Sequence, residues 1–154
     1  MIEPGSPAPD FKLRDQDGSE VTLADLKGQT ALLVFYPLDF SPVCTDQLSI
    51  YQELLSDFEA RGVKVYGISV DSAFCHKAFQ DKINLTFPLL ADFEPKGATA
   101  KAFGIYDDQW GTSRRALFLI DPEGIVKWSY VSPSALEIPG ANLIFDALEP
   151  SPAA

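Results

Sequence analysis

The run Ala31-Leu32-Leu33-Val34-Phe35-Tyr36 constrains the fold most. Six apolar residues in a row read as a buried, central strand. A second such run, Val63-Lys64-Val65-Tyr66-Gly67-Ile68-Ser69-Val70, reads as another. Between them Leu48, Tyr51, Leu55 and Phe58 repeat at helical spacing and predict one apolar face on a helix from about 42 to 61. Gly62 is a natural stop for it.

The remaining elements follow the same alternation. Asp10–Arg14 and Glu20–Leu23 flank Asp17-Gly18 and read as an N-terminal hairpin. Asp71 or Ser72 caps a helix running to about Ile83, and Phe87–Ala91 is a short strand. A helix over Lys96–Phe103 stops at Gly104. Ala116–Ile120 and Ile125–Val131 form a closing hairpin across Asp121-Pro122-Glu123-Gly124, and a short helix covers about Ala141 to Leu148 before Pro150-Ser151-Pro152. Strand–helix alternation ending in a hairpin predicts an α/β sandwich with a mixed central sheet flanked by helices. The chain shows neither a repeat nor a long linker, so one domain over residues 1–150 is expected, with a disordered tail at 151–154.

Charge narrows the function. Twelve basic against 22 acidic residues give a net of −10, which disfavours nucleic acid and anionic membranes as partners. No apolar run approaches the roughly 20 residues of a membrane span, and Met1-Ile2-Glu3-Pro4-Gly5 lacks the basic and apolar regions of a signal peptide. Two cysteines, Cys44 and Cys75, and one histidine, His76, provide neither a disulfide framework nor a zinc cluster. No metal is expected, and a cytoplasmic location is the default.

Cys44 is the reactive candidate. Ser41 suits the N-cap of the following helix and Pro42 its first position, so Cys44 falls at N3. Unpaired backbone N–H groups and the helix dipole there favour thiolate over thiol. The blander alternative is a small apolar core residue.

The spacing Pro37-x-x-x-Ser41-x-x-Cys44 resembles the active-site motif of the peroxiredoxins, with Ser41 where that family usually has Thr. Arg115-Ala116-Leu117-Phe118 resembles the family's second signature, and fits it better than the adjacent Arg114. The resemblance runs from Gly5 to about Tyr130. Within the family it resembles the AhpE-like and bacterioferritin-comigratory (PrxQ-like) groups. It implies a thioredoxin-like fold with an N-terminal β-hairpin extension. It also implies a thiol-dependent peroxidase that reduces hydrogen peroxide and organic hydroperoxides through a Cys44 sulfenic acid. In that scheme Arg115 supplies fixed positive charge, Ser41 hydrogen-bonds peroxide or sulfur, and Pro37 shields the pocket. Gln47 orients Arg115. Tyr36 and Phe40 either line the pocket or pack the core. Trp110 either rims the pocket or covers a sheet edge. The chain has no Cys-x-x-Cys, which argues against a disulfide reductase. No cofactor is implied.

How the sulfenic acid returns to thiol stays open. No cysteine follows Cys75, and Ser49 occupies the position five residues after Cys44, where PrxQ-like relatives often carry the resolving thiol. Cys75 is either a resolving thiol, one turn earlier than the usual place at Gln80, or a replacement for the Ser that AhpE-like relatives carry. His76 either activates Cys75 or is simply solvated. Without Cys75, thioredoxin or a low-molecular-weight thiol must act directly. A monomer and a homodimer are both compatible. The alternative function is a redox sensor that oxidises at Cys44 without efficient turnover.

Overall fold

A computed structural model describes residues 1–149; the tail expected at 151–154 lies outside them. Nine strands and six helices are laid down in the order β1 (Lys12–Arg14), β2 (Glu20–Thr22), α1 (Leu23–Leu26), β3 (Thr30–Phe35), α2 (Pro42–Glu53), α3 (Leu55–Ala60), β4 (Val63–Ser69), α4 (Ala73–Ile83), β5 (Leu89–Ala91), α5 (Ala98–Ala102), β6 (Tyr106–Asp107), β7 (Thr112–Ser113), β8 (Ala116–Ile120), β9 (Val126–Val131) and α6 (Ala141–Leu148). Seven strands form one sheet, ordered β2-β1-β5-β4-β3-β8-β9. β3, β4 and β5 run parallel, whereas β8 and β9 join antiparallel. The mixed sheet is the one the alternation predicts, and the hairpin β1–β2 closes one edge.

Period-two alternation along β3 divides the core. Leu33 and Phe35 face Phe103 and Phe118 together with α1 and α5. Leu32, Val34 and the following Tyr36 face the other way, onto Cys44, Leu48, Phe58, Phe79 and Ile144 of the helices α2, α3, α4 and α6. Each such large side chain contributes about 1.5–3 kcal/mol by leaving water. Cys44 is therefore held against a strand buried from Ala31 to Phe35.

Three departures from the sequence reading have local causes. The helix expected over 42–61 breaks at Leu54 (φ −98°, ψ 4°), where the Leu54 N–H bonds back to Tyr51 in a tightened turn. The re-aimed last turn stacks Phe58 on Phe145 of α6 at 4.8 Å. α5 starts later than Lys96, because Gly97 takes a left-handed φ of +70° and a Cβ there would collide with the Tyr106 ring. α1 is a single turn with no apolar period to mark it. Thr22 and Asp25 close a reciprocal capping box around it, with Asp25 N donating to Thr22 Oγ1 and Thr22 N to Asp25 Oδ2.

Candidate active site

The site grows from the end of β3. After Tyr36 the chain turns through residues 37–41 into α2, and Phe40 takes φ +66° in that turn. A non-glycine residue there costs about 1 kcal/mol. Its ring packs on Phe79 at 5.1 Å. Ser41 stands at the N-cap and Pro42 at N1, as the sequence predicts. The Ser41 hydroxyl, however, caps nothing. It donates to the Leu38 carbonyl at 2.8 Å and so braces the turn instead.

Cys44 is 1% exposed. Pairing of Phe35 with Ala116 across β3 and β8 places Arg115, one residue earlier, beside the entry to α2. Arg115 is 2% exposed, and every arm of its guanidinium is held. Nη2 donates to Cys44 Sγ at 3.3 Å and to the Ala135 carbonyl at 2.8 Å. Nε donates to the same carbonyl at 3.0 Å, and Nη1 to Gln47 Oε1 at 2.5 Å. Among the described residues no carboxylate pairs with Arg115. A buried cation surrounded by neutral acceptors requires a counter-charge, and the Cys44 sulfur is the group in reach that can supply one. Arg114, by contrast, is exposed.

Gln47 is fully buried and passes the arrangement on, its Nε2 donating to Tyr51 Oη at 3.3 Å. Tyr51 donates in turn to the Pro139 carbonyl at 2.8 Å. Burial pushes the Tyr51 phenol up to about 12, opposed by the Gln47 bond and the Arg115 charge, so it stays a donor. Sequence reasoning read Tyr51 as core and missed the carbonyls of Ala135 and Pro139. Carbonyls of an irregular loop carry no residue signature.

An open groove of about 790 Å³ leads to Arg115, bordered by Pro37, Leu38, Trp110, Ala135 and Leu136. Trp110 is 75% exposed on the short ribbon β6–β7 and rims this groove. Tyr36 is buried and donates to Asp39 Oδ1 at 2.6 Å; its phenol lies well above the usual range through burial and the nearby Asp39 carboxylate.

Residues 4–129 match the AhpC/TSA family. Alkyl hydroperoxide reductase E of Mycobacterium tuberculosis is 37% identical over 149 residues, covering 96% of this chain and 97% of its own. The chain belongs to the AhpC/TSA family, the peroxiredoxins. It is 39% identical over 130 residues to chloroplastic peroxiredoxin Q of rice (Oryza sativa subsp. japonica), 84% of this chain and 59% of that one. The crystal structure of Enterococcus faecalis AhpC superposes with a TM-score of 0.87 at 30% identity, covering 96% of this chain and 91% of the other. The sheet and its flanking helices form the thioredoxin-like fold of these peroxiredoxins. The protein is a thiol-dependent peroxidase, and the relatives do not favour a sensor without turnover.

The second cysteine of this peroxiredoxin stands in a different field. Ser72 caps α4, its Oγ accepting from Cys75 N at 3.2 Å. The Cys75 thiol points at Asp71 Oδ1, 3.8 Å away. Burial and then the carboxylates of Asp39 and Asp71 push it up to about 12. His76 is neither solvated nor turned toward Cys75. It is fully buried, with Nδ1 2.7 Å from Asp39 Oδ2 and Nε2 3.0 Å from the Leu90 carbonyl. Successive helix positions diverge by about 100°, so neighbours in sequence face different surroundings. Asp39, Asp71 and Cys75 bring ligand atoms within 4.8 Å of one another. Their carboxylates are already engaged by Tyr36, His76, Ser69 and the Asp39 N–H.

Proposed function

We infer that Cys44 is the peroxidatic thiol and that an external thiol restores it. The observation carrying this is the buried Arg115 guanidinium, paired with the Cys44 sulfur and with no carboxylate among the described residues. The thiolate attacks the terminal oxygen of a hydroperoxide. An S–O bond forms, the O–O bond breaks, and the leaving alkoxide or hydroxide takes a proton from water. Cys44 is left as the sulfenic acid. Arg115 stabilises charge as it moves from sulfur to the leaving oxygen. Gln47 and Ala135 fix its orientation, and Pro37 walls the approach. Ser41, held by Leu38, presents its hydroxyl oxygen at the turn. The substrates are hydrogen peroxide and organic hydroperoxides, in keeping with the apolar rim of the groove and with the name of the mycobacterial relative.

Thioredoxin or a low-molecular-weight thiol then condenses with the sulfenic acid, releasing water and leaving a mixed disulfide, which a second thiol cleaves. A Cys75 thiol facing two carboxylates is a poor candidate for that attack. Residues 1–150 act as one domain, as a monomer or homodimer, in a cytoplasm where both cysteines stay free. No helix among the described residues is long and apolar enough to cross a membrane.

Intact mass after one equivalent of hydrogen peroxide tests the reading. Gain of one oxygen, absent in Cys44→Ser, is the expected result. Loss of two hydrogens would mean a Cys44–Cys75 disulfide and would overturn the external thiol. An unchanged mass would overturn the site.

A further inference from the structure

A buried polar cluster behind the active-site turn takes no part in the chemistry above. Asp39 is 7% exposed and lies in the turn between Pro37 and Ser41; His76, from α4, is fully buried. The Leu90 carbonyl can only accept, so His76 Nε2 carries a hydrogen toward it. The short contact from Nδ1 to Asp39 Oδ2 and the Tyr36 hydroxyl on Oδ1 fit a carboxylate accepting from both. With Nε2 donating to Leu90, Nδ1 and Asp39 Oδ2 share one proton between them. The backbone of the turn is tied as well, with Asp39 N donating to Asp71 Oδ2 at 2.8 Å. Every one of these anchors belongs to β3, β4, α4 or β5 or to the residues just past their ends, so the turn is clamped to the rigid sheet side.

The clamp has a consequence for the second half of the cycle. At 1% exposure, and behind the Arg115 guanidinium that borders the groove, Cys44 leaves little room for the sulfur of an incoming reductant. In-line attack on the sulfenic sulfur needs the first turn of α2 to open, and that opening must break contacts that fix residues 37–41. The Asp39–His76 contact, at 2.7 Å, is the one among them that ties a side chain of the turn directly into α4.

We propose that Asp39 and His76 are positioning residues forming a buried latch. It holds the 37–41 turn closed for peroxide attack and sets how fast Cys44 is released for reduction by thiol. This rests on Cys44 being the peroxidatic thiol. The latch acts in opposite directions on the two half-reactions. Closed, it keeps Cys44 against Arg115 and favours oxidation. Broken, it exposes the sulfenic acid and favours reduction.

Stopped-flow Trp fluorescence, with Trp110 on the groove, follows both steps separately. Hydrogen peroxide is added to reduced protein, and glutathione to protein pre-oxidised with one equivalent. In Asp39→Asn and His76→Gln, oxidation should slow and reduction by glutathione should quicken, each by about ten-fold, the scale of a hydrogen bond to a charged group. Hydrogen exchange of the 41–48 amides should quicken in parallel. Tyr36→Phe, which spares the pair, should move both rates the same ways but less. If His76→Gln does not fold, Asp39→Asn and Asp71→Asn carry the test, the latter weakening the bonds to the Asp39 N–H and the Ser69 hydroxyl along with the Cys75 contact. Two half-reactions that fall together, or that do not move, overturn the latch and leave the peroxidase intact. A wild-type protein that gains no oxygen at Cys44 overturns the site reading, and the latch with it.

Discussion

The two cysteines of this chain occupy the same place in local structure. Each is the third residue of a helix behind a serine N-cap, Ser41-Pro42-Val43-Cys44 in α2 and Ser72-Ala73-Phe74-Cys75 in α4. The helix dipole offers both thiols the same help. Yet Cys44 meets the Arg115 guanidinium at 3.3 Å, and Cys75 meets the Asp71 carboxylate at 3.8 Å with Asp39 behind it. A helix N-terminus contributes a few tenths to about 1 kcal/mol. A desolvated charge nearby outweighs that and reverses its sign. A reactive cysteine is therefore made by what tertiary structure brings to the helix start, not by the helix start alone.

The largest contrast is in turnover. Cys44→Ser should reduce thiol-dependent peroxide consumption to background, whereas Cys75→Ser should leave it within about two-fold; a coupled peroxide assay on both variants decides it. Equal losses would erase the distinction between the two sites. Next comes the partner. Arg115→Met should lower kcat/KM for hydrogen peroxide by about 10²–10³, the usual effect of removing a transition-state donor from a buried site.

A pH series sharpens the other side. A thiol raised to about 12 is protonated throughout the neutral range. Alkylation of Cys75 in Cys44→Ser should therefore climb about ten-fold per pH unit across mildly alkaline pH and level off only near that value. Asp71→Asn removes a carboxylate that favours the protonated thiol. It should speed alkylation at fixed pH by about ten-fold. The smallest effect separates the two caps. Ser72→Ala loses a hydrogen bond to the Cys75 amide and should cost about 1 kcal/mol of stability by urea unfolding. Ser41→Ala loses only the brace to Leu38 and should cost less than about 0.5 kcal/mol, while slowing oxidation of Cys44.

Much of this molecule was legible one element at a time. Runs of apolar residues marked β3, β4 and β8, because a strand in the middle of a sheet is buried along its length and its composition says so. The final helix was readable as a short segment over about residues 141–148, where α6 lies. The ribbon β6–β7 was not readable, since two-residue strands carry no period, and so the place of Trp110 stayed open.

Position in the chain determined that Ser41 would stand at an N-cap and Cys44 at N3, because proline and small polar residues have few places in a helix start. Sequence also paired Arg115 with Cys44, through a spacing that resembles a family motif. It did not determine what the other polar groups would face. Asp39 and His76 are 37 positions apart, and Gln47 and Arg115 are 68 apart. Their contacts exist only once β3 has taken β4 and β8 as neighbours. Local propensity acts over one or two turns of chain, whereas the charge of a buried site is set by whatever the packed sheet places within a few ångströms of it.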